Sequence, residues 1–140
     1  MVEPGCHVIM TLFLRSGVEL HLKRGAELQA HPDLSRYSRC AVAADNIDQS
    51  PFHLIVAEDC ANIAITGAGV IDGQDQTFWQ PCVRPEEFPY GIFHFTARNA
   101  RLSPLVQLVR ARSMQLSNFN LRTPSIPLSA DGGLFIRCQP

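Results

Sequence analysis

The sequence carries no excess of charge of either sign. Its 140 residues hold 12 Lys plus Arg and 13 Asp plus Glu, a formal net charge of −1, whereas a nucleic-acid binder normally presents a strongly basic surface. A long apolar run is missing too. No stretch approaches the roughly 20 residues that a membrane helix needs. The longest near the N-terminus, Val8 to Leu14, is broken by Thr11 and stopped by Arg15. No basic region precedes it, so no export signal is expected in the chain as it stands. There is also no CxxC. Cys6, Cys40, Cys60, Cys82 and Cys138 lie 34, 20, 22 and 56 residues apart, which is neither a zinc-site nor a redox-pair spacing. Five cysteines cannot all pair within one chain, and they are expected as buried free thiols that act as small hydrophobes.

A helical stripe is the last notable absence: no window of 12 or more residues keeps one between Gly25 and Pro140. What is present instead is period two. Val18, Leu20 and Leu22 alternate with Glu19, His21 and Lys23, which marks a half-buried strand. Ile63 and Ile65 alternate around Ala64, and Val70-Ile71 follow Gly67 and Gly69. Leu105 to Val109 reads as a further strand, Met114, Leu116, Phe119 and Leu121 as two more, and Leu134 to Ile136 as a last short one. Ten prolines and nine glycines suit short strands joined by turns. The chain is read as all-β, one domain over residues 1–140, long enough to bury a core and too short for two domains.

The breaks between strands are small residues, Gly, Asn, Ser and Thr, and not the Asn-Gly or Asp-Gly of ordinary hairpins. They read as corners. Related features recur in the band of roughly 20 to 30 residues typical of solenoid coils: Val106 and Leu128 are 22 apart, Cys60 and Cys82 are 22 apart, and Cys40 and Cys60 are 20 apart. Two stretches rich in Pro, Asp, Gln and Arg, near 30–50 and 75–90, read as insertion loops, which a solenoid tolerates because each coil contacts only its neighbours.

Four stretches resemble the polygalacturonase family, family 28 of the glycoside hydrolases. Val2 to His7 and then Leu14 to Leu28 are similar to its opening, where a PxG turn leads into an LxSxVxLxLxxGAxL strand pair. Asn62-Ile63-Ala64-Ile65-Thr66-Gly67-Ala68-Gly69-Val70-Ile71-Asp72-Gly73-Gln74 resembles NIxIxGxGxIDGxG, with Phe78-Trp79 where the family often has Trp-Trp. Arg101 to Leu108 is similar to RPxxLxL, and Met114 to Pro124 to NVxLxNxTLxNSP. The resemblance implies a right-handed parallel β-helix of about five or six short coils, truncated after the N-terminal coils. Gly25, Gly67, Gly69 and Gly73 are then expected at corners that need a positive φ or a close backbone approach. Asn62 is expected as an inward-facing turn asparagine bonding to neighbouring coils.

The implied activity is hydrolysis of α-1,4-linked galacturonic acid in pectin, by an inverting acid/base pair of carboxylates about 6.5 to 9.5 Å apart, with no cofactor. In the family the pair comes from NTDG and DD motifs, with HG and RIK motifs later. This sequence has no Asp-Asp, no His-Gly and no Arg-Ile-Lys. Ser129-Ala130-Asp131-Gly132 is the nearest match to NTDG and makes Asp131 the one candidate catalytic residue. The competing alignment puts Thr123 to Cys138 on the preceding coil, with Asp131 as a turn residue, and it is favoured because Pro124 then follows Leu121 at the family's spacing. Asp72 stands at a position that is structural in the family, and Asp before Gly is above all a turn former. Gly67-Ala68-Gly69 is not a dinucleotide fingerprint, since the third glycine would fall on Asp72.

His7, His21, His31, His53 and His94 show no HExxH or i, i+2 pairing and are expected at exposed strand or loop positions. No metal site is expected. Arg98, Arg101, Arg110 and Arg112 could contact uronate carboxylates, or could be solvated loop arginines. Phe78 and Trp79 could form a sugar-stacking platform or a hydrophobic plug. The expected function is therefore that of an N-terminal piece of a polygalacturonase-like hydrolase, inactive by itself, from a truncated, split or frameshifted gene. The alternative is a non-catalytic β-solenoid module that binds polysaccharide or serves assembly. A calcium-dependent lyase fragment has no acidic ligand cluster to support it. Pectic galacturonan is the expected partner, without nucleic acid or membrane. Self-association is expected through a C-terminal coil left uncapped around Leu128, Leu134 and Ile136. Full-length members of the family are usually secreted or periplasmic.

Overall fold

The computed structural model describes residues 1–40, 51–78, 90–103, 105–110 and 115–116. Eleven short strands account for most of the regular structure in these residues: β1 (Gly5–Ile9), β2 (Leu12–Phe13), β3 (Glu19–Leu22), β4 (Ala26–Ala30), β5 (Phe52–Ala57), β6 (Ala64–Gly67), β7 (Val70–Asp72), β8 (Tyr90–Phe95), β9 (Arg101–Leu102), β10 (Gln107–Val109) and β11 (Gln115–Leu116). Among the described residues helix is confined to a 3-10 turn at Leu34–Arg36 and one α turn, α1 (Asp75–Phe78). Among the described residues no helix is long and apolar enough to cross a membrane.

The strands form three sheets. The first has the order β1-β4-β7-β10, the second β2-β5-β8-β11 and the third β3-β6-β9. Every pairing between these strands is parallel. The chain visits the three sheets in strict rotation, so each circuit lays one strand on each sheet beside the strand of the circuit before. Parallel neighbours cannot be joined by a hairpin. Here the return path is the rest of the circuit.

Register shows how the circuits differ. Ala26 pairs with Gly5, 21 residues earlier, and Gln115 pairs with His94, again 21 earlier. Between these, Val70 pairs with Glu27, 43 residues earlier, and Gln107 with Val70, 37 earlier. The expected spacing of 20 to 22 therefore holds for the shortest circuits only. The bridge of Ala61 to Arg98 sets Cys60 beside Ala97, and Cys82 lies outside the described residues. The extra length enters at one corner, from the first sheet to the second, where residues 31–51 and 73–89 intervene. At the other two corners only two to six residues separate consecutive strands.

The interior is built from columns of equivalent residues. Leu28, Ile71 and Leu108 stack in the first sheet, and Ile65 and Leu102 in the third, all less than 5% exposed. In the second sheet Phe93 stacks on Ile55 and Phe95 on Ala57. Burying one such side chain is worth about 1.5–3 kcal/mol. At Gly67 the backbone has φ +103, and an added Cβ would collide with the carbonyl of Leu22, so two neighbouring circuits approach as closely there as a glycine allows.

Four expectations about strand positions, thiols and corners need correction. Leu105 is 68% exposed, and β10 begins only at Gln107, because Ser103 turns the chain first: its carbonyl accepts from Val106 N–H at 3.2 Å. Val18 is 40% exposed, lying one residue before β3. Cys40 and Cys60 are buried, but Cys6 is exposed on β1, which among the described residues has a strand on one side only. Asn62 does not face inward either, as described below. The expected strands at 119–121 and 134–136 lie outside the described residues.

Candidate functional site

The third sheet carries a joined set of polar side chains on its outer face. Alternation along β3 sends Leu20 and Leu22 towards the core and leaves Glu19 and His21 outside. Parallel register then sets Glu19 beside Ala64 and Ala64 beside Arg101, with His21 beside Thr66 one level on. The pairing continues to Ser103, whose N–H donates to Ile65 O at 2.8 Å.

Three of these side chains are joined. Thr66 Oγ1 lies 2.8 Å from His21 Nδ1 and also hydrogen-bonds Glu19 Oε1. A hydroxyl has one proton and an ionised carboxylate has none. Thr66 must therefore donate to Glu19, and His21 must donate its Nδ1–H to Thr66. The Thr66 hydroxyl holds the Glu19 carboxyl below its usual range against the opposing pull of desolvation, with His21 and Arg101 adding favourable charge. Arg101 is exposed, and among the described residues no carboxylate lies within 4 Å of its guanidinium.

The corner leading into this sheet repeats the same geometry on three circuits. Gly17, Asn62 and Asn99 all have positive φ, +74, +57 and +55. Gly17 N–H donates to Ala61 O and Asn62 N–H to Arg98 O, each at 2.9 Å. Asparagine is the residue besides glycine that tolerates this conformation best, and that conformation turns Asn62 outward. Its exposed side chain accepts from Asn99 Nδ2 at 3.1 Å, which links two circuits on the outside and not the inside. Arg98 is exposed next to this ladder.

Asp72 ends β7 and is 1% exposed. It accepts from Gln74 N–H at 2.9 Å and Gln74 Nε2 at 2.7 Å, and it is ion-paired with Arg110, which follows β10 at the equivalent corner one circuit on. Arg110 is thus engaged with Asp72, and Arg98 and Arg101 stand exposed. Arg112, Asp131 and Trp79 lie outside the described residues. Phe78 stacks on Tyr90 at 4.3 Å between centroids, and Tyr37 meets Tyr90 edge-on at 5.5 Å, so Phe78 is held in an aromatic cluster against the core. Tyr37 donates to His31 O at 2.8 Å, and burial pushes its hydroxyl up to about 12. Tyr90 is pushed up further by deeper burial.

Two histidines depart from the expected exposed positions. His53 is 3% exposed and His94 8%, with ring centroids 5.1 Å apart. They sit on β5 and β8, which are closed on both faces, so an outward-facing residue there is still buried. Gly91 makes the room, because a Cβ on it would come within 2.7 Å of the His53 ring. Burial, and secondly His94, depresses His53 to about 4. Glu58 lies 3.9 Å from His94 Nε2. Burial, and then the charge of Glu58, raises the Cys40 thiol. Among the described residues no three His, Cys, Asp or Glu side chains are grouped to hold a metal ion. His7, His21 and His31 are half-buried, each with a hydrogen bond.

The joined set of Glu19, His21 and Thr66 escaped sequence reasoning because its members come from two strands 45 residues apart in register. The alternation that placed Glu19 and His21 outside was the only local sign of it.

No family model matches the chain, and no curated protein matches it. Among solved structures it is similar to a "putative glycosyl hydrolase" from Parabacteroides merdae ATCC 43184, with a TM-score of 0.50, 13% identity, and coverage of 93% of this chain and 75% of that one. At that identity the likeness concerns the fold alone. The two chains share an arrangement of strands.

Proposed function

We propose that the chain is a right-handed parallel β-helix of the polygalacturonase kind, belonging to a glycoside hydrolase that acts on pectic galacturonan. The observation that carries this reading is the strict rotation of short strands through three parallel sheets. It is supported by the positive φ of Gly25 and Gly67, two of the glycines that the family's motifs place at corners, and by the fold likeness to a protein described as a glycosyl hydrolase.

Within these 140 residues the function is to bind the polymer without cleaving it. Inverting hydrolysis needs an acid and a base in one site, and one carboxylate cannot supply both. The sequence offers Asp131 as a single motif-like carboxylate and no Asp-Asp pair. Binding falls to the exposed cations Arg98 and Arg101 on the third sheet and its corner, by charge-assisted hydrogen bonds to uronate carboxylates.

The test is a pair of assays on the same preparation. Affinity electrophoresis through a gel containing polygalacturonate is expected to retard the chain, and a reducing-end assay is expected to read no more than a buffer control. Sugar release that Asp131→Asn abolishes would show that Asp131 is catalytic and overturn the non-hydrolytic reading. No retardation together with no release would overturn the galacturonan reading.

A further inference from the structure

We propose that Glu19, Thr66, His21 and Arg101 form one binding subsite for a uronic-acid unit, in which His21 Nε2 accepts from a sugar hydroxyl and Arg101 takes the carboxylate. This rests on the galacturonan reading above and adds the residues and their division of labour. The argument starts from the hydrogen-bonded row. Its direction runs from His21 Nδ1–H to Thr66 Oγ1 and from Thr66 Oγ1–H to Glu19, since no other assignment satisfies both contacts of the single hydroxyl proton. Which nitrogen of a neutral imidazole carries the proton is set by the hydrogen bond the other makes. With Nδ1 committed as a donor, Nε2 carries the lone pair. It has no hydrogen-bond partner among the described residues, and the His21 side chain is 42% exposed.

Such a row is more than surface decoration, because each bond in it polarises the next. Glu19 anchors Thr66, and Thr66 anchors the ring, so an acceptor is held in one tautomer on a rigid sheet. The strand beyond β6, β9, supplies the other half of the recognition. Ala64, between Glu19 and Arg101 in register, has no side chain beyond Cβ, which leaves a shallow gap between the two longer residues. Neighbouring strands lie about 4.8 Å apart, so β3 and β9, with β6 between them, stand about 10 Å apart, a span to be bridged by the long Arg101 side chain together with a sugar unit lying over Ala64. An acceptor for a hydroxyl beside a fork of donors for a carboxylate matches the two kinds of group that a uronic acid carries. A neutral sugar would use only the first.

Thr66 is a positioning residue in this scheme, and its test needs a readout that simple loss of structure would not give. Long-range nitrogen-15 NMR of the His21 ring is expected to show the Nδ1–H tautomer in the wild-type chain and a mixture in Thr66→Val. In affinity electrophoresis with polygalacturonate, His21→Gln and Thr66→Val are each expected to weaken binding about fivefold, the scale of one neutral hydrogen bond. Arg101→Gln is expected to weaken it about tenfold or more, as suits a charge-assisted pair. Retardation by a neutral galactan gel is expected to be insensitive to Arg101→Gln. If the wild type binds polygalacturonate while His21→Gln and Arg101→Gln bind equally well, the subsite is wrong and the polymer reading stands. If the wild type is not retarded, both fall. An Nε2–H tautomer in the wild type would overturn the assigned direction of the row.

Discussion

Replacing His53 by leucine is expected to remove a pH-dependent weakness from the fold. His53 is 3% exposed, and its Nδ1 has no hydrogen-bond partner. Burial, and secondly the neighbouring His94, lowers its folded value from 6.5 to about 4. In the unfolded chain the imidazole takes up its proton near the ordinary value. Between those limits the unfolded state binds more protons, so stability falls as the pH falls from 6.5 towards 4. Above 6.5 neither state is charged and nothing is lost; below 4 both are charged and the penalty is constant. The gap is roughly 2.5 pH units, and at 1.36 kcal/mol per unit the penalty reaches about 3 kcal/mol. That is a large part of a small domain's stability. Urea unfolding in half-unit steps from pH 4 to pH 8 measures it, with the wild type and His53→Leu run side by side. Carboxylate titrations common to both chains cancel in the difference. The wild type is expected to lose about 3 kcal/mol relative to the variant on going from pH 7 to pH 4, and in a His94→Gln background the loss is expected to be smaller. Parallel pH profiles for the two chains would refute the reasoning, because they would mean that His53 takes up its proton equally in both states.

The corner glycines separate two costs. Gly67→Ala must adopt φ +103 and push against the Leu22 carbonyl, and it is expected to lose about 3 kcal/mol or more. Gly17→Ala meets open space at φ +74 and is expected to lose only about 1–2 kcal/mol, so equal shifts in thermal midpoint for the two would contradict the close approach of circuits. In the first sheet, Ile71→Ala empties a fully buried column and is expected to cost about 2–5 kcal/mol. Leu105→Ala, at a residue 68% exposed, is expected to stay within about 0.5 kcal/mol by the same denaturation assay.

Local pattern was enough to identify an all-β chain of short strands. Alternation at Leu20 and Leu22 and at Ile63 and Ile65 reports directly which side of a strand faces the core, and the absence of a 3.6-residue stripe excludes long helices. Corners at Gly25 and Gly67 were legible for the same reason, because a positive φ is a property of one residue and its immediate backbone. Asn62 was legible as a corner but not in its direction. The left-handed conformation turned it outward, where its partner is Asn99, 37 residues later.

Tertiary structure decided everything that depends on which circuit lies beside which. Register steps of 21, 43 and 37 residues in the first sheet follow from unequal connections at one corner, and no local repeat reports their length. Burial of His53 and His94 could not be read from β5 and β8, because strands closed on both faces have no polar side to give the alternation away. The row from His21 through Thr66 to Glu19 is likewise a product of parallel register, which sets side chains 45 residues apart at one level of the third sheet. Periodicity is a property of neighbours along the chain. A polar surface on stacked parallel strands is a property of neighbours across it.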